Sequence, residues 1–204
     1  GADLTNADLS GADLMNADLS GTDLTNAVLT NAKLSGANLS GVNLSGVDLQ
    51  EQNLSGANLT GAILIGVSLI EADLTHADLS RANLTGADLG EALMQGAVLM
   101  GVTLQNTNLS QVNLIGATLA DMDLARINLA ESILSGADLS GADLTNADLS
   151  SADLTNADLS GADLTNADLS GADLTNANIE DVVIDSEIQL TPEQIANACW
   201  TDCD

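Results

Sequence analysis

The stretch GADLS GADLT NADLS SADLT NADLS GADLT NADLS GADLT NAN, residues 136–178, advances by a strict five-residue step. Followed in both directions, the same step runs without a gap from Gly1 to about Ile184, which makes 37 consecutive pentads. Their central position, beginning at Leu4, is Leu in 34 of the 37, the exceptions being Met94, Ile179 and Ile184. Two residues before it stands Ala in most pentads, with Val, Thr or Ser as the usual substitutes. Two apolar positions separated by one polar residue share a face of a short extended segment. Five is odd, however, so a straight strand would throw alternate leucines to opposite faces. A bend in every pentad is required to keep them all inward, and Gly or Asn, which tolerate turn geometry cheaply, opens 26 of the 37. Each pentad is a side and a corner.

Sides that bend in one sense close into a coil, and four roughly right-angled corners give a coil of twenty residues. Stacked as parallel strands about 4.8 Å apart, the pentads predict a square solenoid of about nine coils, roughly 43 Å long. In such an array each coil touches only its neighbours. Helical, heptad and leucine-rich periods do not match a five-residue step.

Composition narrows the function. Of 204 residues, 30 are Asp or Glu and only 3 are Lys or Arg, and the net charge of −27 excludes unassisted nucleic-acid binding, because a polyanion repels phosphate. There is no Phe or Tyr, one Trp (Trp200) and one His (His76), so chemistry based on imidazole or phenol has almost nothing to work with. No apolar run is long enough for a membrane span and nothing resembles a signal peptide, so a cytoplasmic protein with no membrane partner is expected. Cys199 and Cys203 are too few and too close together to be a disulfide framework.

The motif A-[DN]-L-[ST]-[GN], seen as Ala2-Asp3-Leu4-Thr5-Asn6 and repeated to residue 184, strongly resembles the pentapeptide-repeat proteins. That resemblance implies an all-β fold, a right-handed quadrilateral parallel β-helix with the Leu and Ala inside and the other three positions outside. The repeats occupy 1–184, and 185–204 form a C-terminal cap with a short α-helix from about 192. Val182, Val183, Ile184, Ile188 and Leu190 are apolar at strand-like spacing. Thr191-Pro192-Glu193-Gln194 then reads as a helix start: Thr as N-cap, Pro at the first helical position, Gln three after the cap. The helix, carrying Ile195, Ala198, Cys199 and Trp200, is expected to cover the edges of the last coil, and many family members end in a similar helix with an aromatic residue. Gly1 opens a repeat directly. Either an upstream part was removed, the ends were engineered, or the bare first coil pairs with another chain as a dimer.

Three zones differ in regularity. Residues 1–23 and 136–178 hold nearly perfect consensus, whereas 24–135 vary at almost every outward position. Charge is −5 over 1–23, −7 over 24–135 and −15 over 136–204. Asp138, Asp143, Asp148, Asp153, Asp158, Asp163, Asp168 and Asp173 occupy eight successive pentads, so all four sides there are acidic, and a stacked pair such as Asp143 and Asp163 repels by about 1 kcal/mol before salt screening. In the variable zone, the twenty-residue period turns Leu93, Ile133 and the nearby Ile115 outward on one side, with Met15 further along it, and Ile63 and Ile65 outward on another. An exposed apolar strip on an acidic surface marks a candidate partner site; scattered surface aliphatics are the plainer reading. Gln52, Met122 and Ile127 fill slots sized for Ala, and an enclosed Gln52 needs a hydrogen bond.

No constellation supports catalysis, a metal or a cofactor. The aspartates are regular and lack His or Cys to complete a site, and His76 stands alone at a corner. Asn38-Leu39-Ser40 and Asn58-Leu59-Thr60 match the glycosylation pattern as by-products of the repeat. The favoured function is a non-catalytic protein-interaction scaffold, a stiff acidic rod whose variable middle coils bind a protein partner. The alternative is DNA mimicry, since several family members resemble duplex DNA in shape and charge and engage DNA gyrase, some conferring quinolone resistance. Those inhibitors usually carry central Phe and interrupting loops, both missing here. A purely structural or engineered array is the third reading.

Overall fold

Every pentad has five backbone N–H groups to satisfy. In the pentad Gly41–Ser45 of the computed structural model, the Gly41 N–H donates to Thr60 O of the next coil at 2.8 Å and Leu44 N–H to Ile63 O at 2.9 Å. Asn43 N–H donates back to Thr22 O of the previous coil at 3.1 Å, and Val42 N–H closes the preceding corner onto Leu39 O at 3.2 Å. The fifth donor, Ser45 N–H, has no backbone acceptor and is taken by the Asn43 side chain, Oδ1, at 3.1 Å. The pentad Gly141–Thr145 repeats the scheme, ending with Thr145 N–H on Asp143 Oδ1 at 3.0 Å. The outward Asp or Asn of the motif therefore closes the backbone of its own side.

The structure describes residues 1–185 and 190–199, in two compact units, Gly1–Asn108 and Leu109–Asp204. Within each, parallel pairing advances by twenty residues. Asp3, Asp8, Asp13 and Asp18 pair with Asp23, Val28, Lys33 and Asn38 on four successive sides, and Asp138, Asp143, Asp148 and Asp153 pair likewise with Asp158, Asp163, Asp168 and Asp173. Both units are thus repeat solenoids. The sides are shorter than the expected strands: each contributes one bridging residue, because its neighbours are already bent into the corners.

Every corner residue from Asn6 to Asp181 has φ between 54° and 74°, the sign a type II turn needs at its third residue, and a conformation that only Gly and Asn adopt cheaply. Glu51, Glu71, His76, Arg81, Glu91, Gln111, Asp121, Arg126, Glu131, Ser151 and Asp181 adopt it too. Each such residue costs about 1 kcal/mol relative to Gly. Nine of the eleven lie within residues 51–131, the variable zone.

Inside, from Leu24 onward, Leu and Ala alternate in largely covered ladders; Ala82 and Leu84 are both 0% exposed. Of the oversized residues, Ile127 is buried, and Gln52 is enclosed with its Nε2 donating to Ala32 O at 2.7 Å. Met122 is only half-buried, so the thioether chain is displaced from the slot that Ala occupies elsewhere. Thr107, also inward, donates Oγ1–H to Leu84 O at 2.8 Å. Ser132 is 1% exposed and its Oγ has no partner among the described residues.

Helix α1, Pro192–Asn197, begins as the motif predicts: Thr191 Oγ1 accepts from Gln194 N–H at 3.2 Å and Gln194 Oε1 accepts from Thr191 N–H at 2.8 Å, a capping box. It ends sooner than expected, before Ala198 and Cys199. Within it Ile195 is 46% exposed and the buried helical residue is Gln194. Its Nε2 donates to Leu169 O at 3.0 Å and Ala172 O at 2.9 Å. The cause lies in the coil, whose end presents carbonyl groups that an isoleucine could not satisfy. Cys199 pairs in parallel with Asn178 and is disulfide-bonded. Ile188, Trp200 and Cys203 lie outside the described residues.

Two substitutions test this core. Leu84→Ala is expected to cost about 2–5 kcal/mol in denaturant unfolding; a negligible loss would contradict the inward ladder. Ser132→Ala is expected to stabilise by about 1 kcal/mol or more, because it removes a buried hydroxyl with no partner.

Candidate functional site

The outward surface is built from three positions per pentad: the corner, the side residue that pairs between coils, and the residue after the central Leu. At side positions an Asp or Asn does two jobs, accepting the fifth N–H and presenting its remaining atoms to solvent. Where the second residue on is Ser or Thr, its hydroxyl often joins the same oxygen, as Ser140 Oγ does on Asp138 at 2.6 Å. Hydrogen bonds from the Ser10 and Ser20 side chains and N–H groups lower the Asp8 and Asp18 carboxyls below the ordinary value, and Thr165 and Ser170 do the same for Asp163 and Asp168.

The eight aspartates of the regular zone stand where expected. They form four stacked pairs, Asp138 with Asp158, Asp143 with Asp163, Asp148 with Asp168 and Asp153 with Asp173, one pair on each side of the coil. Where the stacked partner is an amide or a cation, the repulsion is relieved. Asn38 Nδ2 donates to Asp18 Oδ1 at 3.0 Å, Asn178 Nδ2 to Asp158 Oδ1 at 3.0 Å, and Lys33 Nζ meets Asp13 at 3.3 Å. Among the described residues no group of three or more His, Cys, Asp or Glu is arranged to hold a metal ion. No helix of the described residues is long and apolar enough to cross a membrane.

The apolar candidates are exposed but divided. Ile63 (39%) and Ile65 (47%) share a side of the first unit, where Ile63 pairs with Asn43 and Asn83. Ile115 and Ile133 belong to the second unit and lie on adjacent coils, Ile133 pairing with Asn113 two residues before Ile115. Leu93 is in the first unit and pairs with Asp73; Met15 lies in the same unit, about four coils away in sequence. Beside Leu93 the sequence reading missed two residues. Val98 is 44% exposed and Met100, at 73%, is the most exposed large apolar side chain described. Both had a signal in the sequence, since Val98 replaces the usual Asp or Asn and Met100 the usual Ser or Thr.

An aliphatic side residue has a backbone consequence. Ile63, Leu93, Val98 and Ile133 have no side-chain acceptor, so Ile65, Gln95, Met100 and Ser135 lose the bond that their N–H groups would make to an Asp or Asn. One such bond contributes about 1 kcal/mol. These apolar residues are thus not neutral replacements on a surface.

The sequence matches the family model described as pentapeptide repeats in eight copies, from residues 1–21 through 77–114 to 142–181. Among solved structures the chain is similar to HetL, a pentapeptide repeat protein involved in heterocyst differentiation regulation from the cyanobacterium Nostoc sp. strain PCC 7120. Identity is 40%, over 87% of this chain and 86% of that one, with a TM-score of 0.40. It is similar to a trypsin-treated variant of QnrB1, a plasmid-mediated fluoroquinolone resistance protein, at 26% identity over 91% of each chain with a TM-score of 0.51. It is also similar to a pentapeptide repeat protein from the Arabidopsis thaliana thylakoid lumen, at 32% identity over 55% of this chain and 72% of that one, with a TM-score of 0.34. No curated protein sequence matches it.

The carboxylate bonds make a prediction about pH. Asp78 pairs with Asn58 and Val98 rather than another carboxylate, so repulsion from a stacked partner does not complicate its titration. Hydrogen bonds from the Ser80 side chain and N–H lower its carboxyl. A lowered folded value means that its stabilisation is present above the unfolded value near pH 4 and is lost as pH falls through the folded value. Asp78→Asn keeps an acceptor for Ser80. The melting-temperature difference between the two proteins is expected to be constant from pH 7 to about pH 5 and to move against the wild type below about pH 4; a difference independent of pH would contradict the assignment.

Proposed function

The chain belongs to the pentapeptide-repeat family, and from that premise we propose that it acts without catalysis, as a protein-interaction scaffold whose variable middle coils bind a protein partner. The observation that carries this reading is the placement of Ile63, Leu93 and Ile133. Each is exposed, and each stands at a side position where Asp or Asn would have closed the backbone. An array selected for stability alone has no reason to forgo that bond, whereas a recognition surface has. The strained corners of the same zone, where Glu, His and Arg replace Gly or Asn, support it in the same way.

The reading extends to the architecture: a right-handed winding of about nine coils, repeats over 1–184, and a cap over 185–204. The cap is supported by Gln194 reaching two carbonyls of the coil end.

A second reading is favoured by one specific feature, the carboxylate pairs on all four sides of the second unit. Acidic charge on every side is what imitation of duplex DNA toward an enzyme such as DNA gyrase would require, and the similarity to a fluoroquinolone resistance protein supports it.

The readings separate experimentally. Leu93→Asn, Ile115→Ser and Ile133→Asn together restore the repeat pattern, so the variant is expected to fold as well as the wild type and to lose partner capture in pull-downs. Retained capture would remove those residues from the site. Replacement of the eight aspartates 138–173 by Asn keeps every acceptor and removes eight charges. If mimicry holds, inhibition of gyrase supercoiling by the wild type weakens with salt and disappears in this variant; an unchanged effect would refute the charge mechanism.

A further inference from the structure

In the first unit, the pentads carrying Leu93 and Val98 are consecutive, and Met100 follows Val98 across Leu99. All three side chains are exposed, to 44%, 44% and 73%. Leu93 and Val98 stand on adjoining sides of one coil. The corner between them is Gly96, with the His76 ring lying where a Cβ on that glycine would stand, so Gln95, half-buried, is the coil's own outward side chain between the two. The patch continues around the corner to Met100 and ends at Gly101, over which the Arg81 stem passes, 3.7 Å from the position of an added Cβ.

The adjoining coil supplies charge. Asp73 pairs directly with Leu93 and Asp78 with Val98, and Glu71 and Glu91 occupy the corners that open the pentads of Asp73 and Leu93, both exposed. Asp73 and Asp78 thus flank the strip on one side, with Glu71 and Glu91 at its corners and His76 and the Arg81 stem beside it. The side residues there cannot accept hydrogen bonds, so the N–H groups of Gln95 and Met100 find no partner among the described residues.

From these observations we propose that Leu93, Val98 and Met100, with Asp73 and Asp78, form the docking surface for an extended peptide segment that alternates apolar and cationic residues. This rests on the scaffold reading and names the chemistry of its partner. In an extended segment successive side chains point to opposite sides and long cationic chains reach around its edge. Apolar residues of the partner cover Leu93, Val98 and Met100, its Lys or Arg groups meet Asp73, Asp78, Glu71 and Glu91, and its backbone carbonyls accept from the unpaired N–H groups. Charge complementarity selects this occupant: a neutral apolar segment would leave the carboxylates desolvated and unpaired, and a second copy of this acidic chain would add repulsion.

The test uses the full chain and a fluorescein-labelled alternating Lys-Leu octapeptide, read by fluorescence anisotropy, with alternating Lys-Ser and Gln-Leu octapeptides as controls. The Lys-Leu peptide is expected to bind, more weakly as salt rises, and better than either control. Val98→Asn with Met100→Ser restores the repeat pattern and its side-chain acceptor, and is expected to weaken binding about tenfold or more while the melting temperature stays at or above that of the wild type. Asp73→Asn with Asp78→Asn is expected to weaken it and flatten the salt dependence. Equal binding by the Val98/Met100 variant overturns the site. If that binding is instead abolished by the eight Asn at 138–173, the peptide reads only the general acidic surface. Tighter binding of the Gln-Leu peptide overturns the cationic requirement, and no binding of any peptide overturns the partner class. The pull-down with the Leu93, Ile115 and Ile133 variant reads capture of a protein partner without the peptide, so a failed peptide test with capture lost in that variant overturns this proposal and leaves the scaffold reading standing.

Discussion

The fifth N–H of each pentad is the constraint on which the outward surface depends. Where successive coils pair, as at Gly41–Ser45 and Gly141–Thr145, four of the five donors are satisfied by the coil itself, along the stack and across the corner. The fifth points outward and needs a short acceptor two residues before it, which only Asp and Asn provide in this geometry, as Asn43 does for Ser45 and Asp143 for Thr145. This is why a position facing solvent is as restricted as the core. It also gives departures from the pattern a cost: Val98 leaves the Met100 N–H without an acceptor, where a neutral surface substitution would change nothing.

Most of the fold was legible because the period and the two inward positions follow from elementary geometry. A step of five with apolar residues two apart permits few closed shapes, and the twenty-residue register of the pairs, such as Asn43 with Ile63, follows once four corners are granted. The corner signal was equally plain at Gly and Asn. What periodicity could not show was that Glu71, His76 and Arg81 hold the same positive φ, since their intrinsic preferences argue against it and the stack imposes it.

The terminal segment shows the opposite case. Thr191, Pro192 and Gln194 announce a helix start, and the start is there, but Gln194 was read only as half of a capping box. Its amide has two ends: Oε1 serves the Thr191 N–H while Nε2 reaches Leu169 O and Ala172 O. Local sequence reveals the first bond and not the second, because the carbonyls belong to residues more than twenty positions away. Met100 was missed for a different reason. Attention to side positions picked out Leu93, Ile115 and Ile133, whereas the exposure of Met100 depends on what lies beside it after a corner.

Asp and Asn accept the fifth N–H equally well, and this degeneracy separates what the coil requires from what the surface carries. In the first unit the two alternate freely: Asn38 follows Asp18 on one side, and Asn43 follows Asp23 on another. Each such change relieves the repulsion of stacked carboxylates without loss of the backbone bond, and Asn38 adds a hydrogen bond to Asp18. Across residues 138–173 every side position is Asp, so carboxylate faces carboxylate in each of the four stacked pairs, and the amide that Asp158 meets comes from Asn178 beyond that zone. Structure alone does not favour that choice, because Asn would close the same sides with less repulsion. The uniform charge there is therefore a property of the surface in its own right, whether its use is solubility, exclusion of other polyanions or recognition. The same comparison applied to residues 93 and 98, where neither Asp nor Asn is present, separates the apolar strip from the coil's requirements even more clearly.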